Sequence, residues 1–153
     1  PSMWSSERTP TLALCTTWLL LALTVLWPAG AKAEEIVVVT AVRGGLTTLD
    51  RGTTEQLYLG RRSNLFDGQG VMLIDLPAGP VRDAFYQRLT RKNPSQIRAY
   101  WSRLVFTGRA QPPRETSSVD EARRLVLESQ GSIAYLPRTA ANDPGLQILF
   151  ILE

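Results

Sequence analysis

Ser95-Gln-Ile-Arg-Ala-Tyr100-Trp101-Ser-Arg-Leu-Val-Phe106-Thr-Gly108 and Gln130-Gly131-Ser132-Ile133-Ala134-Tyr135-Leu136 are the two stretches on which the fold turns. The first reads as a helix. Asn93 is a good N-cap, Pro94 suits the first helical position, and Gln96 stands three residues past the cap, as a capping box requires. Ile97, Trp101, Leu104 and Val105 recur at helical spacing and form its apolar stripe. Gly108 follows as a stop signal. The second stretch reads as a glycine turn entering a short buried strand. A helix and a buried strand this close together point to an α/β arrangement.

The pattern extends in both directions. Upstream, Glu35-Ile-Val-Val-Val-Thr-Ala41 is continuous and β-branched, as in strands of a parallel sheet that are buried on both faces. Arg43-Gly44-Gly45 breaks it. Thr53 or Thr54 is expected to cap a short helix through Glu55–Leu59, stopped by Gly60. A turn at Asp67-Gly68 precedes a second buried strand, Val71–Leu76. Pro80 opens a helix in which Val81, Ala84, Phe85 and Leu89 face inward and Arg82, Asp83, Gln87 and Arg88 face outward. Gln111-Pro-Pro113 reads as a stiff loop. Ser118 caps a further helix with Glu121 at its third position. A strand over Ser132–Leu136, a loop over Pro137–Gly145 and a last strand over Leu146–Leu152 complete the order β-α-β-α-α-α-β-β. The fold class is therefore α/β, one small domain with a helix-flanked mixed sheet.

The N-terminal region is of another kind. Leu12–Trp27 is an apolar run of 16 residues, short of the roughly 20 that span a bilayer. It leads through Pro28-Ala-Gly to Ala31-Lys32-Ala33, an A-x-A pattern. Residues 1–33 are accordingly expected to be a secretory signal, with Pro1-Ser2 ahead of the start at Met3 and cleavage after Ala33. Residues 34–153 then form the domain, exported to the periplasm or beyond and not membrane-spanning. That segment carries 15 basic and 13 acidic residues, and 14 of the basic ones are arginine. So balanced a charge lacks the basic footprint of a nucleic-acid binder. There is no histidine, and Cys15, the only cysteine, falls in the signal. Triad and thiolate chemistry are thereby excluded for the domain. No spacing of Asp or Glu points to an acid–base pair or a metal cage. No enzyme activity, metal or cofactor is expected.

Several segments together resemble the short phosphate-binding-protein-like domain family, related to the periplasmic substrate-binding components of phosphate ABC transporters. Leu46-Thr-Thr-Leu49 through Gln56-Leu57-Tyr58-Leu59-Gly60 is similar to that family's "L-x-x-L…I-F-L-G". Phe66-Asp67-Gly68 with Val71–Leu76 is similar to its "W-x-D-G" and the following strand. Val81-Arg82-Asp83-Ala84-Phe85, Tyr100-Trp101 with Phe106-x-Gly108, and Gly131-x-Ile133-Ala134-Tyr135 continue the likeness. The resemblance implies one lobe of a periplasmic binding protein. It further implies a solute-binding role, with phosphate or another small oxyanion as ligand and a membrane transporter or an envelope protein complex as partner.

One departure bears on the ligand. Pro77-Ala78-Gly79-Pro80 stands where the family has a hydroxyl-bearing turn at a helix start, and Pro80 removes a backbone donor. A second reading is therefore a ligand-free interaction or structural module of the cell envelope. Two loops are candidate oxyanion sites. Arg43, Gly44, Gly45, Thr47 and Thr48 could offer a guanidinium, a glycine nest and hydroxyls. Gly79, Val81 and Arg82 offer a helix N-terminus and a second guanidinium. Solute binding predicts that residues 43–48 and 79–82 converge on one polar cleft. Tyr100, Trp101 and Tyr135 are expected to serve the core.

Overall fold

The computed structural model describes residues 34–65 and 68–153. The signal-like segment at 1–33 and the Phe66-Asp67 half of the turn motif lie outside the described residues. Five strands form one mixed sheet in the order β3-β2-β4-β1-β5. In chain order the elements are β1 (Ile36–Ala41), α1 (Arg51–Tyr58), β2 (Met72–Asp75), α2 (Pro80–Thr90), α3 (Pro94–Phe106), β3 (Arg114–Glu115), α4 (Val119–Glu128), β4 (Ser132–Pro137) and β5 (Leu146–Leu152).

The expected element order is present, with one addition. The stiff Gln111–Pro113 segment runs into β3, a two-residue strand that pairs in parallel with β2. Two residues carry no periodicity, which is why the strand was not legible. β1 and β4 are buried along their whole lengths, and successive strand residues face opposite sides, so both faces are covered. This burial does not signal a parallel sheet here. β1 lies between β4 and β5 and is antiparallel to both, while β2 is parallel to β4. Full burial reports a central place in the sheet, whatever the strand direction.

α1 begins earlier than the sequence pattern implies. Asp50, not Thr53 or Thr54, is the N-cap: its carboxylate accepts from the Thr53 amide at 2.8 Å and the Thr53 hydroxyl at 2.6 Å. In α3 the capping box of Asn93 and Gln96 is complete, each side chain meeting the other residue's amide at 2.9 Å. Its inner stripe is Ile97 and Trp101, with Tyr100 and Leu104 partly buried beside them. Leu104 is the last residue of the helix to pack against the core. Val105 is 53 % exposed and Phe106 92 %, so neither completes the stripe. Gly108 does close the helix, at φ +65°, with its amide on the Val105 carbonyl.

The core holds an aromatic cluster on one face of the sheet. The Tyr135 ring stacks on Phe85 of α2 at 3.6 Å between centroids, and Tyr58 of α1 meets both rings edge-on. The Tyr58 hydroxyl donates to the main chain of β2 or β4, 3.0 Å from the Ile74 carbonyl and 3.2 Å from that of Ile133. Tyr58 thus buries a large apolar body and still satisfies its polar tip.

Candidate functional site

The sheet directions decide where the candidate loops go. β1 runs toward the beginning of β4, pairing Thr40 with Ile133. β2 starts beside Ser132 and runs toward the end of β4. The loop after β1 and the loop after β2 therefore leave from opposite ends of the sheet. Arg43, Gly44 and Gly45 sit at one end, where a Cβ on Gly44 would stand 3.4 Å from the Gly131 amide, and Thr47 and Thr48 follow on the connection to α1. Gly79, Val81 and Arg82 share the other. Residues 43–45 and 79–82 do not converge.

Within the first loop Thr47 and Thr48 are exposed. Gly45 takes φ +71° and turns its amide onto the Val42 carbonyl at 3.3 Å, so that N–H is not aimed outward. Arg43 reaches the Leu127 carbonyl at 3.4 Å and is otherwise exposed. In the second loop Gly79 is an N-cap without a side chain, Pro80 has no donor, and the Asp83 amide already bonds the Gly79 carbonyl. The amides of Val81 and Arg82 remain as the donors of that turn.

Arg82 does not face outward as its place on the helical pattern implied. Its guanidinium lies 2.9 Å from Asp75 and 3.5 Å from Glu115, and over the Tyr86 ring at 5.8 Å. The helix start places Arg82 close to the end of β2, within reach of the strand's last side chain. Two carboxylates therefore already oppose this positive charge before any ligand arrives.

Asp75 is the centre of a polar cluster that sequence reasoning missed. It is buried at the end of β2. Its carboxylate accepts from the Tyr135 hydroxyl, from the Tyr86 hydroxyl at 3.1 Å and from Arg82. The Tyr135 hydroxyl also accepts from the Leu76 amide at 3.2 Å. The Asp75 carbonyl takes the Thr116 amide and hydroxyl at 3.0 and 2.9 Å. One residue thus ties β2, α2, β4 and the segment after β3 together. One signal was available: an acidic residue inside Val-Met-Leu-Ile-Asp-Leu must find partners if the strand is buried. Which partners it finds depends on α2 and β4, and β4 lies far along the chain. Tyr135 is in the core as expected, and its hydroxyl has a definite task there.

Burial pushes the Asp75 carboxyl above the ordinary 3.8, outweighing the downward pull of Tyr135, Arg82 and Tyr86. Burial, and then the charge of Asp75, holds the Tyr135 and Tyr86 hydroxyls well above 10.0. The tyrosines are therefore donors and not nucleophiles at neutral pH. The carboxylate is fully engaged. The arrangement is a structural latch with no vacant acid or base. Among the described residues no group of three or more potential ligands could hold a metal ion, and no helix is long and apolar enough to cross a membrane.

A pH dependence follows. The folded chain holds the Asp75 proton to a higher pH than the unfolded chain does. The group's contribution is therefore complete below about pH 3.8 and declines as pH rises through the raised folded value. Asp50 and Glu121 are held below their ordinary values, chiefly by Thr53 and by Ser117, and act in the opposite sense. The difference in melting temperature between the native chain and Asp75→Asn cancels those two. It should move against the native chain as pH is raised from about 3.5 to about 6.5. A pH-independent difference would contradict the upward shift.

No family model matches the chain, and no curated protein does. Solved structures do. An ABC-type phosphate transport receptor from Vibrio cholerae superposes with a TM-score of 0.58 at 13 % identity, over 76 % of this chain and 45 % of that one. A protein from Clostridium perfringens assigned as a phosphate ABC transporter substrate-binding protein, solved with bound phosphate, gives 0.59 at 14 %, over 76 % and 44 %. A protein from Planctomyces limnophilus DSM 3776 assigned as phosphate-binding gives 0.57 at 11 %, over 76 % and 40 %. The resemblance read from the sequence thus holds at the level of fold. The chain has the α/β architecture of part of a phosphate-transport substrate-binding protein and spans under half the length of those structures.

Proposed function

We propose that the chain is a solute-binding-type domain that works outside the cytoplasm and binds phosphate or another small oxyanion. The observation that carries this reading is the shared fold with three phosphate-associated structures, one of them with phosphate bound. Of the two candidate loops, Arg43–Thr48 is the better suited. Arg43 has a single long bond to a carbonyl, whereas the charge of Arg82 is offset by Asp75 and Glu115. Gly79, Val81 and Arg82 are the weaker candidate, a separate helix N-terminus whose dipole alone adds about 0.3–1 kcal/mol. A transporter would be the partner.

Calorimetry of the full chain with phosphate and with sulfate at low salt tests it. Saturable heat is expected, weakened about tenfold in Arg43→Ala, the cost of one charge-assisted bond. No heat and no thermal shift at millimolar ligand would overturn the reading.

A second reading has its own support. The two loops diverge, and Val105 with Phe106 leaves an exposed apolar pair at the end of α3. We infer from this an envelope interaction module as the alternative. A photocrosslinker at position 106 of the exported chain should then trap one discrete partner. A blank result removes this alternative.

A further inference from the structure

A cleft of about 550 Å³ opens between the turn after α1, the start of β2 and the segment that leads into β3. None of the residues of the two candidate loops lines it. Four arginines do: Arg61, Arg62, Arg109 and Arg114. No Asp or Glu is among the described residues of its wall. Its volume falls within the roughly 300–1,000 Å³ usual for small-molecule sites.

The positive charge of Arg61, Arg109 and Arg114 is not consumed by the fold. Arg61 and Arg62 follow the C-terminus of α1, where a cation commonly answers the negative end of the helix dipole. Here the carbonyls at that end are already taken. Those of Glu55, Gln56 and Leu57 accept main-chain amides at 2.9 Å, and that of Leu59 accepts the Tyr100 hydroxyl at 2.7 Å. Arg109 likewise follows the C-terminus of α3, where the Arg103, Leu104 and Val105 carbonyls accept main-chain amides at 3.1, 3.0 and 3.0 Å, and Arg114 follows no helix. Those two flank Gln111-Pro112-Pro113, whose prolines fix the backbone and hold the two arginines apart. Arg114 and Glu115 are neighbours on β3 and face opposite sides, and Glu115 is turned to Arg82 at 3.5 Å. The acid that feels Arg114 is Glu121, which is fully exposed and so screened. Arg62 donates to the Asn64 carbonyl at 2.6 Å. Among the described residues Arg61, Arg109 and Arg114 have no ion-pair partner.

We propose that this cleft binds a small molecule carrying two or more linked phosphate groups. Three exposed guanidiniums from two segments line one cleft whose described wall holds no carboxylate, so an anion that reaches more than one of them meets uncompensated positive charge. A lone orthophosphate has four oxygens on one centre, fewer than three guanidinium forks can engage with two bonds each. Linked phosphates distribute their charge along a chain, and each presents the paired oxygens that a planar guanidinium fork engages with two bonds. The chemistry is the same whether the chain of phosphates is inorganic or carried on an organic group.

Calorimetry of the full chain at low salt, with tripolyphosphate, orthophosphate and a hexaglutamate peptide as probes, tests the assignment. Tripolyphosphate should bind at one site per chain, at least tenfold more tightly than either other probe. Arg61→Gln with Arg109→Gln and Arg114→Gln should abolish that binding. Arg123→Gln with Arg124→Gln, on α4, should leave it unchanged. If the triple variant does not fold, Arg109→Gln alone should weaken tripolyphosphate at least fivefold. Equal affinity in the cleft variants, several equivalent sites per chain, or hexaglutamate binding as tightly as tripolyphosphate would each overturn the proposal. The outcome is separable from that of the proposed function. Tripolyphosphate bound in the cleft without any orthophosphate response would refute the latter and leave this inference standing.

Discussion

Asp75→Ala is expected to destabilise the fold by about 3–5 kcal/mol, a large part of the roughly 5–15 kcal/mol that holds a domain together. The cost has identifiable sources. The hydroxyls of Tyr135 and Tyr86 lose the acceptor to which both donate, in surroundings where water does not replace it. An unsatisfied buried polar group costs about 1–3 kcal/mol. Arg82 adds less, because its side chain is 23 % exposed and keeps Glu115 and solvent. Urea denaturation, read as a midpoint at constant slope, measures the loss. Asp75→Asn should fall between the native chain and alanine, since an amide oxygen still accepts from one tyrosine. A loss below about 1 kcal/mol for alanine would mean that the desolvation of Asp75 nearly cancels what its three bonds return.

Gly60→Ala is expected to cost about 2–5 kcal/mol although it adds a single methyl group. Gly60 sits at φ +64°, where a side chain costs roughly 1–2 kcal/mol. The new Cβ would also stand 2.8 Å from Cη2 of Trp101 and 2.9 Å from Cβ of Ala110. Forcing an extra carbon into packed surroundings costs about 1–3 kcal/mol more. Gly108 provides the control. It has φ +65°, but a Cβ there would meet no atom within 4 Å, so Gly108→Ala should show the backbone cost alone. The gap between the two substitutions in thermal or urea melts isolates the packing contribution. Equal costs would show that Trp101 and Ala110 yield without penalty.

These two positions show how differently the sequence speaks about them. Gly60 was legible as a helix stop, because glycine after an apolar-periodic run is a local signal. The close approach of Trp101, three elements further along the chain, was not. The Asn93–Gln96 capping box was readable in full, since both of its partners lie within one helical turn. Asp50 was hidden as a cap by the nearby threonines, which are suitable caps by composition. Val105 keeps the helical period of α3 but lies on a turn that extends beyond the core, and periodicity does not say where a helix leaves the sheet. β1 looked parallel because burial and β-branched composition are shared by any central strand.

The candidate site followed the same division. Arg43–Gly45 and Gly79–Arg82 were identified as connections from glycine, proline and arginine alone, and both do follow a strand. Their separation follows from strand direction: β1 antiparallel and β2 parallel to the same β4 send the two connections to opposite ends. The arginine cleft joins residues 61–62 to 109 and 114, and no local pattern links those positions.

By itself the sequence determined the succession of helices and strands, most of the caps, the mixed α/β class and the likeness to phosphate-binding proteins, because these rest on short-range periodicity and on backbone preferences of single residues. Only the tertiary structure decided the pairing directions, the partners of Asp75 and Arg82, and which arginines share a cleft. Those depend on contacts between residues tens of positions apart, and a contact at that range leaves no trace in the residues that lie between.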